Sequence, residues 1–302
     1  MRILVTDGMD KNAIYMLKQK GHEVIEKFYE LEQLNTEIKN VDAVVIRSAT
    51  KIRKQTIDSA LETGRLKVII RGGVGIDNID HEYAQSHGIM VRNTPNASSV
   101  AVAELALAHM FAVTRFIAVS KVTMLEGKWN KNEYNGFELS GKTLGLIGFG
   151  RIAIELAKRA HALGMKVLYH NQSGEKKEFK EYRYATLEEL LAESDYVSLH
   201  IPGNPEKTPY IDSKKIAMMK EGVYLINTSR GAVIDETALI EGLESGKVRG
   251  AGLDVYQEEP TKNMALISHE RVSVTPHIGA STLEAQNKIG EEIVNIIESM
   301  EA

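Results

Sequence analysis

The sequence predicts an α/β protein of two doubly wound parallel-sheet domains, on three observations. Short apolar runs alternate with segments of helical spacing along nearly the whole chain, the order that yields a parallel sheet with helices on its faces. Two of those runs pass directly into glycine-rich turns, Arg71-Gly72-Gly73-Val74-Gly75 and Gly148-Phe149-Gly150. Open parallel sheets bind their ligands at such strand ends. At 302 residues the chain is too long for one typical domain of this kind and suits two.

Composition bounds the partners. A net charge of −4, from 37 basic and 41 acidic residues, offers no footprint for nucleic acid or an anionic membrane, so small soluble ligands are expected. The chain has no cysteine, which excludes disulfides, thiolate metal sites and cysteine nucleophiles, and its 9 histidines form no His-Glu-x-x-His pair. No metal is expected. The opening Met1-Arg2-Ile3-Leu4-Val5-Thr6-Asp7-Gly8 reads as a first strand, its apolar run being too short for a signal peptide. The longest apolar stretch, residues 100–113, contains Glu104 and His109 and is too short to span a bilayer. A reducing cytoplasm is the expected location.

In chain order, residues 3–5 and 43–46 read as strands enclosing a helix at 11–20 and a short run at 23–25. Residues 67–70 form the strand that enters the first glycine-rich turn. That turn lacks the dinucleotide pattern, because an Arg precedes it and no helix with a clear apolar face starts at its third small residue. Backbone N–H groups at Gly73, Val74 and Gly75 could instead cradle a carboxylate, with Arg71 adding charge. After a strand at 89–91, Asn93-Thr94-Pro95-Asn96-Ala97-Ser98-Ser99 is a turn suited to changing domains, with serines to cap the next helix. That helix, from 100 to about 124, is apolar nearly all the way round, which predicts burial at a domain or subunit interface. Residues 127–131 are a polar loop with the one tryptophan, Trp129.

Residues 143–153 read as strand, tight turn and helix start. Gly148, Gly150 and Ala153 fit the dinucleotide fingerprint: small residues permit the turn, admit a pyrophosphate to the backbone and let the helix pack on its strand. Ile152, Leu156, Ala157, Ala160 and Leu163 share one helical face, Gly164 ends the helix, and 166–170 supplies the next strand. Further strands are expected at 196–200, 223–227, 250–254 and 272–274. The last helix, 282–301, carries Ile289, Ile293, Ile296, Ile297 and Met300 on one face and needs a partner surface.

Three polar residues follow strands of the second half: Arg230, Glu259 and His277. A guanidinium binds a carboxylate in bidentate fashion and polarises a carbonyl, an imidazole moves a proton near neutral pH, and a neighbouring carboxylate favours imidazolium. Together they suit hydride transfer to a 2-keto acid.

Their neighbourhoods (Asn227-Thr228-Ser229-Arg230-Gly231, Gln257-Glu258-Glu259-Pro260 and Thr275-Pro276-His277-Ile278-Gly279-Ala280-Ser281), with both glycine-rich turns and Asn93-Thr94-Pro95, resemble the D-isomer-specific 2-hydroxyacid dehydrogenase family. Arg47-Ser48-Ala49-Thr50-Lys51, Gly127-Lys128-Trp129, Gly136-Phe137-Glu138-Leu139 and the stretch from Gly279 to Gln286 are most similar to its phosphoglycerate dehydrogenase branch. The resemblance covers nearly the whole chain. It implies a Rossmann cofactor domain, 95–277, inserted in a flavodoxin-like substrate domain, 1–94 with 278–302, an active site in the cleft between them, and a homodimer built with the helix after Val100. It implies Arg230, Glu259 and His277 as the catalytic set. NAD, with NADP also accepted, would be held by Gly148, Gly150, Arg151, Ile152, Asn171, Ile201, Thr228, Ser229, Arg230, Asp254, His277, Gly279 and Ala280. Substrate would be held by Arg47, Arg71, Gly73, Val74, Gly75 and Lys131. The implied reaction interconverts 3-phosphoglycerate and 3-phosphohydroxypyruvate, a step of serine biosynthesis.

Two positions depart from the family pattern: Asn171 stands where NAD-dependent members place an Asp, and Lys131 where phosphoglycerate dehydrogenases place an Arg. The alternatives are a hydroxypyruvate or glyoxylate reductase, a general D-2-hydroxyacid dehydrogenase, and, in another class, a corepressor-like dinucleotide sensor. Formate dehydrogenases are disfavoured because they carry Gln where Glu259 stands. The family's regulatory appendages are not expected, as the chain stops with the terminal helix.

Overall fold

The computed structural model describes residues 1–203 and 209–300. Its chain divides into two units, Met1–Ser99 together with the segment from Ala280 onward, and Val100–Gly279. The divisions fall a few residues beyond 94 and 277. Ala97 still packs among the buried residues of the first unit, and the N–H groups of Ile278 and Gly279 are tied to Asp254 of the second.

The first unit contains β1 (Arg2–Val5), α1 (Lys11–Gln19), β2 (Glu23–Glu26), α2 (Leu31–Glu37), β3 (Ala43–Ile46), α3 (Lys54–Leu61), β4 (Val68–Arg71), α4 (His81–Ser86) and β5 (Met90–Asn93). Its strands are parallel in the order β2-β1-β3-β4-β5, the flavodoxin-like arrangement. Strand alternation sorts side chains by face: Leu4, Val44, Ile46 and Ile69 enter one core layer, while Ile3, Val5, Val45, Val68 and Ile70 enter the other. The second layer is closed by the terminal helix, Leu283–Glu298, which buries Ile289, Ile293, Val294 and Ile297. A Cβ at Gly290 would stand 2.6 Å from that of Ala13, so glycine there lets this helix lie close on α1.

The second unit begins with α5 (Ser99–Thr114) and α6 (Ile117–Leu125), where the sequence predicts one helix to about 124. The two are bent by 57° at a break where Phe116 takes a left-handed φ of 56°. Apolar residues all round both segments gave the sequence no mark of the break. There follow β6 (Thr143–Ile147), α7 (Arg151–Ala162), β7 (Lys166–His170), β8 (Arg183–Tyr184), α8 (Leu187–Glu193), β9 (Tyr196–Leu199), α9 (Ser213–Met218), β10 (Val223–Asn227), α10 (Glu236–Ser245), β11 (Val248–Leu253), α11 (Met264–Ile267) and β12 (Val272–Val274); the terminal helix is α12. The parallel order β12-β11-β10-β9-β6-β7-β8 reverses between β6 and β9, the switch point at which a Rossmann sheet takes its ligand. Val223 and Leu225 face one core layer of this unit, Tyr224 and Ile226 the other. Among the described residues no single helix is long and apolar enough to cross a membrane, and no group of three or more His, Asp or Glu is placed to hold a metal ion.

Candidate active site

In the second unit, three loops at the carboxyl ends of β10, β11 and β12 bring Arg230, Glu259 and His277 together. Asn227 ends β10 and shapes the first loop: its Oδ1 accepts from Ser229 N at 3.0 Å and Ser229 Oγ at 2.8 Å, and its Nδ2 donates to the Arg230 carbonyl at 2.9 Å. Gly231 then passes so near Tyr256 that a Cβ would lie 1.9 Å from that residue's carbonyl carbon and oxygen. Only glycine admits this approach. It sets the Arg230 loop against the Tyr256–Glu259 loop.

Glu259 Oε2 accepts from His277 Nδ1 at 2.7 Å, and Oε1 accepts from Tyr256 N at 3.2 Å. With Nδ1–H spent on the carboxylate, Nε2 is the ring atom left to exchange a proton with a ligand. Burial would raise the Glu259 carboxyl, but the His277 hydrogen bond and charge, the Tyr256 amide and the Arg230 charge outweigh it, and the carboxyl is held below its ordinary value. A carboxyl lowered on folding stabilises the fold above its ordinary value and ceases to do so as pH falls through the lowered one. The carboxylate is therefore present throughout the neutral range.

His277 has a left-handed φ of 53°, uncommon for a residue with a Cβ, so its surroundings must hold it there. Asp254, only 1% exposed, does much of this: its Oδ1 accepts from Thr275 Oγ1 at 2.6 Å and Ile278 N at 2.8 Å, and its Oδ2 accepts from Gly279 N at 2.8 Å. Tyr256 adds a hydrogen bond from its hydroxyl to the Thr275 carbonyl at 2.9 Å. Both Asp254 oxygens thus face the His277 loop. Asn227, Gly231, Tyr256 and Thr275 carry no mark in the sequence beyond lying beside the motifs of Arg230, Glu259 and His277.

At the switch point, Gly148 has φ 86° and a Cβ there would stand 2.4 Å from the His200 carbonyl oxygen, whereas a Cβ at Gly150 would meet open space. The first glycine closes the turn and the second leaves room for a ligand. Gly150 caps α7 without a side-chain hydrogen bond, so the helix presents its first backbone N–H groups, from Arg151 and Ile152, to an anion. Ala153, fully buried, lets α7 settle on the sheet. Ile201 is half-buried beyond β9, and the buried Thr228 Oγ1 has no hydrogen-bond partner among the described residues. Asn171, just past β7, donates from Nδ2 to Ser173 Oγ at 2.6 Å and keeps Oδ1 as an acceptor. These features fit a dinucleotide. Ala280, assigned to the cofactor by resemblance, belongs to the first unit.

In the first unit, Arg47 and Arg71 flank Gly72, whose Cβ would lie 3.7 Å from Arg47 Cγ. The Arg47–Thr50 loop is pinned: Asp7 Oδ2 accepts from Arg47 N at 2.7 Å and Thr50 N at 2.9 Å, while Asn78 Nδ2 donates to the carbonyls of both, at 2.6 and 2.7 Å. Burial lowers Arg47 from its ordinary value, against the pull of Asp7. The expectation of a three-amide cradle is corrected at Gly73, whose N–H turns inward to the Arg71 carbonyl at 2.9 Å. Val74 and Gly75 remain as its candidate donors. Gly73 is needed for its φ of 149°. Lys131 lies exposed on a loop of the second unit.

A family model described as D-isomer specific 2-hydroxyacid dehydrogenase, NAD binding domain, matches residues 107–279. The chain is 45% identical over 300 residues to hydroxypyruvate reductase of Thermotoga maritima, covering 98% of this chain and 97% of that protein. It is 40% identical over 303 residues to D-3-phosphoglycerate dehydrogenase of Methanocaldococcus jannaschii, covering 99% of this chain and 57% of that one. The chain thus spans little more than half the length of that dehydrogenase. A solved glyoxylate reductase from Paecilomyes thermophila superposes with a TM-score of 0.90 at 32% identity, covering 99% of this chain and 94% of that one.

Proposed function

We propose, since the chain belongs to the D-isomer specific 2-hydroxyacid dehydrogenase family, that His277 is its proton carrier, Glu259 the partner of that histidine, Arg230 the group that holds and polarises the keto acid, and 3-phosphohydroxypyruvate its substrate. The observation that carries the roles is the 2.7 Å contact between His277 Nδ1 and Glu259 Oε2, with Arg230 close enough to bias that carboxyl. NAD, when bound, supplies or accepts the hydride. Gly148, Gly150, Arg151 and Ile152 would take its pyrophosphate, Asn171 its ribose, and Thr228, Ser229 and Ile201 its remaining polar and apolar surface. In reduction, Nε2–H of His277 delivers a proton to the carbonyl oxygen; in oxidation, the bare Nε2 removes it.

The phosphate assignment rests on Arg47, Arg71 and Lys131. A phosphate dianion needs several cations to neutralise it, a demand that glyoxylate and hydroxypyruvate do not make. Lys131 supplies charge without the guanidinium fork, so it grips less well than an Arg would. Steady-state kinetics with NADH and a panel of keto acids tests this. Phosphohydroxypyruvate is expected to exceed hydroxypyruvate in kcat/KM, and Arg47→Ala to narrow the gap by hurting the phosphorylated substrate. Equal efficiencies in the unmodified protein would favour the second reading, hydroxypyruvate reduction, which the 45% identity to the Thermotoga maritima enzyme supports. No turnover on any keto acid would leave the dinucleotide sensor.

The cofactor preference follows from Asn171. Its Oδ1 can accept from a ribose hydroxyl, but it lacks the charge that repels a 2′-phosphate, and Lys176 and Lys177 follow in the same loop. NAD with weak discrimination against NADP is the expected behaviour. Asn171→Asp should raise the preference for NADH over NADPH by about tenfold. An unaltered ratio of the two kcat/KM values would remove Asn171 from the ribose site.

A homodimer and a cytoplasmic location complete this reading. The first is supported by Phe111, Ile117, Val122, Met124 and Leu125, large apolar residues exposed along α5 and α6.

A further inference from the structure

We propose that His109 is a positioning residue for His277, acting through Thr275 to hold the turn on which that histidine stands. The inference rests on the acid–base role given to His277, and its observations are independent of any ligand. His109 lies on α5 and is 2% exposed. Its Nδ1 is 2.9 Å from Ser273 Oγ and its Nε2 is 3.0 Å from Thr275 Oγ1. Ser273 and Thr275 are two residues apart along the end of β12, and the period of a strand turns both side chains to the same face, where one imidazole spans them.

Space for the ring is built into the sheet. A Cβ at Gly252 of β11 would stand 2.5 Å from His109 Cβ and 3.0 Å from its Cγ, so the imidazole needs a glycine beneath it. Nearby, Gly279 faces Val102 of the same helix and Asp254, with its Cβ position 3.3 and 3.1 Å from them. One helix therefore supports both ends of the His277 turn.

The hydrogen bonds have one consistent direction. Thr275 Oγ1 has a single proton, which goes to Asp254 Oδ1 at 2.6 Å. The hydroxyl must then accept from His109, so Nε2 carries the hydrogen and Nδ1 accepts from Ser273. Burial favours the neutral imidazole that this tautomer requires, against a smaller opposing pull from Asp254. The chain Ser273 to His109 to Thr275 to Asp254 ends on the N–H groups of Ile278 and Gly279, immediately beyond the left-handed His277. A purely apolar filler at 109 would leave Ser273 unsatisfied and let Thr275 turn away from Asp254.

Three variants separate this role from simple packing. His109→Leu keeps bulk and removes both hydrogen bonds. A Gln amide reaches the place of Nε2 and an Asn amide that of Nδ1. His109→Leu is expected to lower kcat for keto-acid reduction about tenfold or more, with a far smaller change in the Kd for NADH, because a misplaced proton donor costs mainly turnover. The amides of Ile278 and Gly279 should exchange at least tenfold faster in that variant. His109→Gln should recover most of the turnover, whereas His109→Asn should not. Nitrogen NMR of the unmodified protein should find Nε2 protonated and Nδ1 bare. Equal recovery by Gln and Asn, unaltered exchange at both amides, or a protonated Nδ1 with a bare Nε2 would each overturn the proposal. If the unmodified protein reduces no keto acid, the role of His277 fails, while the exchange and tautomer results still decide that of His109.

Discussion

His277→Ala is expected to lower kcat for keto-acid reduction by about a hundredfold to ten-thousandfold, the usual worth of a positioned general acid. The Kd for NADH should change far less than kcat, since the pyrophosphate end of the cofactor is assigned to the switch point around Gly148 and Gly150, apart from the ring. The sign of the pH effect follows from the 2.7 Å contact with Glu259. Reduction needs imidazolium, so its kcat/KM falls as pH rises; oxidation needs the neutral ring, so its kcat/KM falls as pH drops. The reductive optimum therefore lies below the oxidative one. The partner carboxyl is held ionised, below its ordinary value, by the His277 hydrogen bond and the charges around it. Glu259→Gln removes that charge and keeps the hydrogen-bond geometry, so both limbs should move to lower pH. Stopped-flow and steady-state profiles in both directions check this. Near-normal turnover in His277→Ala without a rescuing buffer acid would sink the assignment.

Legibility in the sequence followed period and motif. The apolar runs at 43–46 and 223–227 mark strands buried on both faces, as the core layers have them, and the glycine spacing at Gly148 to Gly150, read with the helix face and strand that follow it, marks the nucleotide turn. The break at Phe116 was hidden because residues on both sides are apolar all round, leaving no face to lose. The two-residue β8 is too short to carry a period. The terminal helix shows its apolar face in the sequence, and only the resemblance assigns it to the first domain. The close fit of Gly290 on Ala13, which a linear pattern does not encode, seats it on α1. At the candidate site, Arg230, Glu259 and His277 stand out in the sequence through the motifs around them and the resemblance those motifs carry, since each residue alone is ordinary. Their supports do not: Gly231 against Tyr256, or Asp254 under the Thr275 turn, owe their roles to residues brought together from separate strands.

Arg230→Lys is expected to lower kcat/KM for the keto acid by about a hundredfold to a thousandfold, the cost of removing one well-aimed donor to a developing oxyanion. Charge alone does not explain so large a loss, because Lys keeps it. Arg230 Nη1 donates to the Ser229 carbonyl at 2.7 Å, and a guanidinium that also took the carboxylate and carbonyl oxygen of a keto acid, as proposed, would do so through donors held in fixed directions. A Lys ammonium is one nitrogen and cannot brace the loop and fork the substrate together. Electrostatics supplies the control. Arg230 is among the charges that hold the Glu259 carboxyl low, so Lys should leave the pH limbs in place while Arg230→Gln weakens that hold. The side chain is also confined by Gly203, where a Cβ would stand 2.8 Å from Arg230 Cβ, so Gly203→Ala should reproduce part of the loss with the guanidinium intact. Isothermal titration with NADH should show a far smaller change in Kd than in kcat/KM for all three variants. An Arg230→Lys enzyme with unchanged kcat/KM would reduce Arg230 to a source of charge and pass recognition of the carboxylate to other residues.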